Sequence, residues 1–221
     1  QYEEFSDRGV KTSNYQMRTI QVALDMVYLP SVIDYLGARV AYFELRAPFL
    51  GRLFSPTVAR SPLSEVIQTL NAVVLPTLEG GLNPEVGARV YEAVCRWCLK
   101  VLLHILLDGG RTRSFHASEA GALNTQLAEL LQFFASHMAV PESALEQDVR
   151  PVVRVLHWMA MDYRSLRNEF EAMPEKPKAA RGVLMPDCKY RIIQVLARRA
   201  SDSQAQRFVK KRVKDYETLL N

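Results

Sequence analysis

The sequence predicts an all-α protein, an elongated antiparallel helical bundle, and three observations point there. From Cys95 to Leu107 nearly every residue is apolar, while Glu92, Arg96, Lys100, His104 and Asp108 recur every fourth residue. Such a helix exposes one thin polar ribbon and must meet neighbours on most sides. Val152, Leu156, Met159, Tyr163, Leu166, Phe170 and Met173 follow in alternating steps of four and three, a continuous seam long enough to line a neighbour. No stretch shows the period-two alternation of a half-buried strand, and no internal repeat of fixed period appears.

The elements follow in order. Residues 1–18 are a polar lead-in. Ile20, Ala23, Leu24 and Val27 predict a helix over Thr19–Leu29, ended by Pro30, with Ser31 capping a second helix that runs to about Arg46. A Pro- and Gly-broken loop leads to Ser61-Pro62, a cap residue followed by proline at the first helical position. That helix carries Val66, Ile67, Leu70, Val73 and Val74 and is expected to end before Pro76. Asn83-Pro84 repeats the same start and opens the central apolar helix, which closes in a structural turn at Asp108, Gly109 and Gly110. A helix from near Ser118 presents Leu123, Leu127, Leu130 and Phe134, and a link, ASHMAVPES, leads to a helix from about Glu142 that Pro151 should kink or split. After a Pro/Lys/Ala linker come a short helix, Tyr190–Ala200, and a last helix opened by a Ser201/Gln204 capping box. The expected division is a lead-in over 1–18, a helical bundle over 19–172, a linker over 173–186, and basic C-terminal helices over 187–221 packed on the same domain.

The 221 residues, 48% of them hydrophobic, suffice to bury a core. No run of eighteen apolar residues predicts a transmembrane span, and no secretory leader opens the chain. It begins at Gln1 rather than Met, so a piece of a longer protein is expected. Three cysteines, an odd number, favour a reducing, cytoplasmic setting over a disulfide scaffold. The net charge of +4 is unevenly spread. Lys176–Lys214 holds twelve Lys/Arg against two Asp, a net of +10, leaving sixteen basic and twenty-two acidic residues elsewhere, a net of −6. A basic end of this kind suits an anionic partner.

No pattern of catalytic residues emerges. Cys95 and Cys98 form a CxxC in mid-helix, away from a strand-to-helix turn and without a second pair to complete a zinc site, so they read as buried structural residues. His104, His116, His137 and His157 fit no ligand or triad motif, and neither Gly-Gly pair is a phosphate loop. The reading is therefore not an enzyme, with no cofactor and no metal. The last helix is more informative: Arg207, Lys210, Lys211 and Lys214 share one face, helped by Arg198 and Arg199, while Ala205, Val209, Val213, Tyr216 and Leu220 share the other, with Arg212 the exception near the apolar side. Two readings stand: a terminal helix docked by its apolar stripe with a solvated basic face, or a contact with acidic lipid or an acidic partner helix, each basic residue contributing roughly 1 kcal/mol near an acidic membrane. Nucleic acid is disfavoured, since no binding motif or aromatic platform accompanies the charge.

The stretch LLDGGRTRSF, an apolar helix ending in LLDGG before a basic residue and Phe, resembles the C-terminal part of plant-type MUN-domain proteins, relatives of the Munc-type vesicle-priming factors. LAELLQFFASHMAVPESALEQDVRPVVRVLHWMAMDYRSLRNEF resembles the second Munc homology region, and VLARRASDSQAQRFVKK is similar to the tail of the plant branch. The resemblance covers about Val94 to Lys211. One departure is the link after the paired aromatics, which usually carries glycines in the family and reads SHMAV here. The resemblance implies stacked helical bundles as in vesicle-tethering complexes, and a non-enzymatic role in exocytosis: vesicle docking and priming through SNARE or tethering proteins and acidic lipid, peripheral to the plasma membrane or vesicles. The family's SNARE-opening residues lie in an earlier part of the domain, and none is carried over. An alternative is a helical protein–protein scaffold in a larger complex, unrelated to SNAREs, using the Val152–Met173 seam or another face.

Overall fold

The computed structural model describes residues 17–45, 62–108, 114–173, 189–199 and 202–216, with the side chains of 44, 45, 62, 108 and 213–216 outside the described set. The fold is all-α: among the described residues there is no strand, and an isolated bridge joins Phe115 to Arg199. Most of the lead-in and the linker, and the turn residues Gly109 and Gly110, lie outside the described residues; Asp108 is the last residue of its helix.

The α-helices are α1 (Leu29–Val40), α2 (Pro62–Thr69), α3 (Leu75–Glu79), α4 (Pro84–Asp108), α5 (Glu119–His137), α6 (Glu142–Ala160), α7 (Tyr163–Ala172), α8 (Lys189–Ala197) and α9 (Ser203–Tyr216). Helix α4 is the centre that its apolar run predicts. It packs against α1, α6 and α8, and Val94, Cys95, Cys98, Leu99, Leu102, Leu103 and Leu106 are buried, while Arg96 and His104 on the polar ribbon are exposed. Asn83 opens it, its side-chain carbonyl accepting the Glu85 N–H at 3.0 Å. Helices α5 and α6 pack on each other, and α8 bridges α4, α6, α7 and α9.

Proline 30 and proline 76 do not end helices as expected. Each follows a five-residue π-helical turn, Leu24–Tyr28 and Leu70–Val74. In an α-helix the proline ring would clash with the carbonyl four residues back, and one hydrogen bond would be lost. The π turn widens the backbone there: Leu29 N–H bonds to Leu24 O, and Leu75 N–H to Leu70 O. The residue after each proline then donates its hydroxyl back to the chain, Ser31 to Val27 O at 2.8 Å and Thr77 to Val73 O at 2.7 Å. Ser31 thus serves inside a helix rather than as a cap. The sequences VYLPS and VVLPT share Val, Leu and Pro and end in a hydroxyl residue, a short repeat that periodicity analysis over longer windows misses.

Proline 151 also lies inside one continuous helix, α6, and does not split it; Val149, Val152, Val155 and Leu156 are buried on either side of it. The break falls ten residues later. Asp162 caps α7, its carboxylate accepting Ser165 N–H at 3.0 Å and Ser165 Oγ–H at 2.6 Å. Those bonds hold the Asp162 carboxyl below the usual carboxylate range. The predicted seam is thus two helices, and Val152, Leu156, Met159, Leu166 and Phe170 are buried inside the fold rather than free to line a partner. At α9, Ser201 lies outside the described residues, and Asp202 takes the capping role, accepting Ala205 N–H at 2.9 Å.

After α5 the chain reverses through Ala139, the one non-glycine residue with positive φ (52°) among the described residues. The reversal lets Met138 N–H and Val140 N–H both reach the Phe134 carbonyl. This is the link where the sequence departs from a glycine-bearing pattern, and the backbone still takes the conformation glycine favours. Because an L side chain in that region costs about 1–2 kcal/mol, Ala139→Gly is expected to raise stability by up to about 1 kcal/mol, seen as a higher urea midpoint. An unchanged or lower midpoint contradicts it.

Candidate functional site: a basic groove between two helices

Helix α9 docks by its apolar side. Ala205 and Val209 are buried, and Phe208 sits half-buried with its ring edge-on to Phe170 (5.2 Å between centroids) and Tyr163 (6.2 Å). This leaves Arg207, Lys210, Lys211 and Arg212 exposed. Lys214 belongs to α9, and its side chain lies outside the described set. The cations that sequence spacing grouped with α9 separate here. Arg198 is half-buried in the turn after α8, its backbone carbonyl accepting Phe115 N–H at 2.9 Å. Arg199 is buried: its guanidinium donates to the Met159 carbonyl at 3.2 Å and pairs with Asp202 at 3.3 Å. It ties the end of α6 to the cap of α9 and is no part of an exposed basic face, because a lone surface cation would have no reason to leave water.

The structure adds cations that the sequence reading passed over. Arg164 and Arg167, one turn apart on the exposed side of α7, face α9 across a groove of about 670 Å³. Tyr163, Arg164, Arg167, Gln204, Arg207, Phe208, Lys211 and Arg212 line it, and no carboxylate is among them. Arg167 and Arg212 lie over the Phe208 ring at 6.0 and 5.9 Å, within cation–π reach of an aromatic floor. Arg212 also reaches Glu171 at 4.0 Å. Five cations around one groove with no lining acid, one of them offset by Glu171 at its edge, make a concentrated positive field.

A second surface lies at the other end of the chain order. On the helical stretch from residue 17 to 43, Ile20, Met26, Val27, Tyr28, Tyr35 and Phe43 are all more than half exposed. Exposed apolar residues in that number mark protein contacts in other molecules.

The cysteines and histidines do not converge. Cys95 and Cys98 are fully buried in α4, and burial pushes both thiols far above the ordinary cysteine range. The Cys95 thiol meets Met138 Sδ at 3.7 Å. His104, His116, His137 and His157 are each exposed. Among the described residues no group of three His, Cys, Asp or Glu could hold a metal ion, and no helix is long and apolar enough to cross a membrane.

Comparison with known proteins follows the same lines. A family model described as PATROL1-like, TPR repeats, matches residues 7–214. The chain is 28% identical over 200 residues to the Protein unc-13 homolog of Arabidopsis thaliana, a match covering 89% of this chain and 17% of that protein. No solved structure matches.

Proposed function

This chain belongs to the PATROL1-like, TPR-repeat family, and from that membership we propose that it is a non-enzymatic module of membrane trafficking, the C-terminal part of a MUN-like protein that includes the second Munc homology region. It helps vesicles dock and prime in exocytosis through SNARE or tethering proteins and acidic lipid, in the cytoplasm and peripheral to the plasma membrane or vesicles. The family match over nearly the whole chain is the observation that carries the proposal. The name of the plant relative, an unc-13 homolog, supports the trafficking theme. The exposed cations of α9, Arg207, Lys210 and Lys211, together with Lys214 and Arg198, supply the means of meeting an acidic surface.

Co-sedimentation with phosphatidylserine vesicles tests it. At roughly 1 kcal/mol per basic residue near an acidic membrane, removing the charges of Lys210 and Lys211 weakens binding by about thirtyfold, and Lys210→Glu with Lys211→Glu weakens it further. Binding also falls as salt rises. Equal binding of wild type and variant, or no binding by either, removes acidic lipid from the proposal.

A second reading is favoured by the exposed apolar residues between 17 and 43: a helical scaffold that holds protein partners in a larger complex, unrelated to SNAREs. Partners recovered in a pull-down that survive high salt and include no trafficking component favour that reading, since salt screens the charge mechanism.

A further inference from the structure

We propose that the groove between α7 and α9 is a site for a small ring carrying clustered phosphate monoesters, the chemistry of a polyphosphorylated lipid head group or of the corresponding free polyol phosphate. The inference deepens the acidic-lipid part of the reading above and rests on it for the lipid source only.

Three features select this ligand. The first is charge density. Arg164, Arg167, Arg207, Lys211 and Arg212 place five cations, of which Arg212 also pairs with Glu171 at 4.0 Å, around about 670 Å³, a volume within the ~300–1,000 Å³ usual for small-molecule sites. A phosphate monoester carries about −1.5 to −2 at neutral pH, so two or three on one ring bring a matching charge into that volume. An acidic peptide spreads its carboxylates along a chain, one per residue at ~3.3 Å spacing when extended. The second is donor geometry. Four of the five cations are arginines, whose planar forks bind phosphate oxygens in pairs. The third is the floor. Tyr163 and Phe208 form an apolar base beneath the charged rim, suited to the C–H face of a ring whose phosphates point outward.

The cations come from two helices, and the α7 pair lies outside the α9 face, so the groove can be disabled separately from it. Arg164 and Arg167 are exposed, and Arg164→Gln with Arg167→Gln is expected to leave the fold intact, checked by an unchanged circular dichroism spectrum and melting curve. Arg150→Gln, at an exposed position on α6 outside the groove, controls for bulk charge. Two arms are run: co-sedimentation with vesicles containing phosphatidylinositol bisphosphate against phosphatidylserine vesicles of matched surface charge, and calorimetric titration with soluble inositol trisphosphate.

The expected result is at least tenfold preference for the phosphoinositide vesicles, lost in the Arg164/Arg167 variant and kept in Arg150→Gln. Binding of the soluble ligand alone, with the same dependence on Arg164 and Arg167, supports the groove and assigns it a free polyol phosphate. Equal binding to both vesicle types overturns the groove while leaving the basic face of α9 as a membrane contact. No binding to either vesicle or to the soluble ligand overturns both. A preference that survives the Arg164/Arg167 change, or an acidic peptide of equal charge that binds as tightly as inositol trisphosphate, also overturns the proposal.

Discussion

Trp158→Ala is expected to destabilise the fold by about 3–5 kcal/mol, the range for removing a fully buried large aromatic. Trp158 is completely buried on α6, in the stretch that also buries Val155, Leu156 and Met159. Its indole Nε1 has no hydrogen-bond partner among the described residues, so packing alone holds the ring, with the Arg154 guanidinium 5.4 Å from its centre. That missing bond makes a second variant informative. Phenylalanine keeps much of the buried ring and removes the unpaired N–H, whose burial is itself unfavourable. Trp158→Phe should therefore cost less than half as much as the alanine change. Urea unfolding followed by circular dichroism reads both. If alanine is tolerated within about 1 kcal/mol, Trp158 is not at the centre of the core, and the packing of α6 on α4 and α5 described above is wrong.

Gly37→Ala and Gly121→Ala are expected to act in opposite directions. Both glycines are helical, and in an open helix the change to alanine gains about 1 kcal/mol. Around Gly121 nothing lies within 4 Å of an added Cβ, so the ordinary gain applies. At Gly37, α1 crosses α4 so closely that an added Cβ would sit 2.7 Å from the carbonyl carbon of Ala93 and 2.8 Å from its Cβ. Those are backbone and stub atoms that cannot swing aside, so α1 must lift. Overpacking of this kind costs about 1–3 kcal/mol and outweighs the propensity gain. The same crossing brings Trp97 Nε1 to the Asp34 carboxylate at 2.8 Å, so lifting α1 should also change the emission of Trp97. Stabilisation by both substitutions would mean that α1 does not seat on α4 as described.

What could be read from the sequence follows the range of the forces involved. The apolar run of α4 and the stripe of α5 are dictated by burial on many sides, and spacing alone reveals them. Prolines 30 and 76 misled because the penalty for proline is local, while its relief comes from a π turn with a returning hydroxyl; at Pro151 the helix is not split, and buried residues lie on both sides. Arg199 looked like one more surface cation, since nothing nearby in sequence announces that the Met159 carbonyl, forty residues back, lies within its reach. The groove was half visible. Spacing placed Arg207 and Lys211 on one face of α9, but Arg164 and Arg167, lying between the apolar positions of the long seam, drew no reading of their own. Only the break after α6, set by the Asp162 cap, makes α7 a separate helix whose exposed side looks across at α9. The pair R-x-x-R beginning two residues after the Asp162 cap, on the polar side of an amphipathic segment, was the signal available.

The most direct test of a trafficking role replaces the cell's own protein with one carrying Lys210→Glu and Lys211→Glu and measures how much of a plasma-membrane cargo protein reaches the cell surface. Both positions are exposed, so the protein should accumulate at normal levels. The account predicts that surface cargo falls and cargo-laden vesicles collect beneath the membrane. Normal surface delivery by a variant that no longer binds acidic vesicles would contradict it.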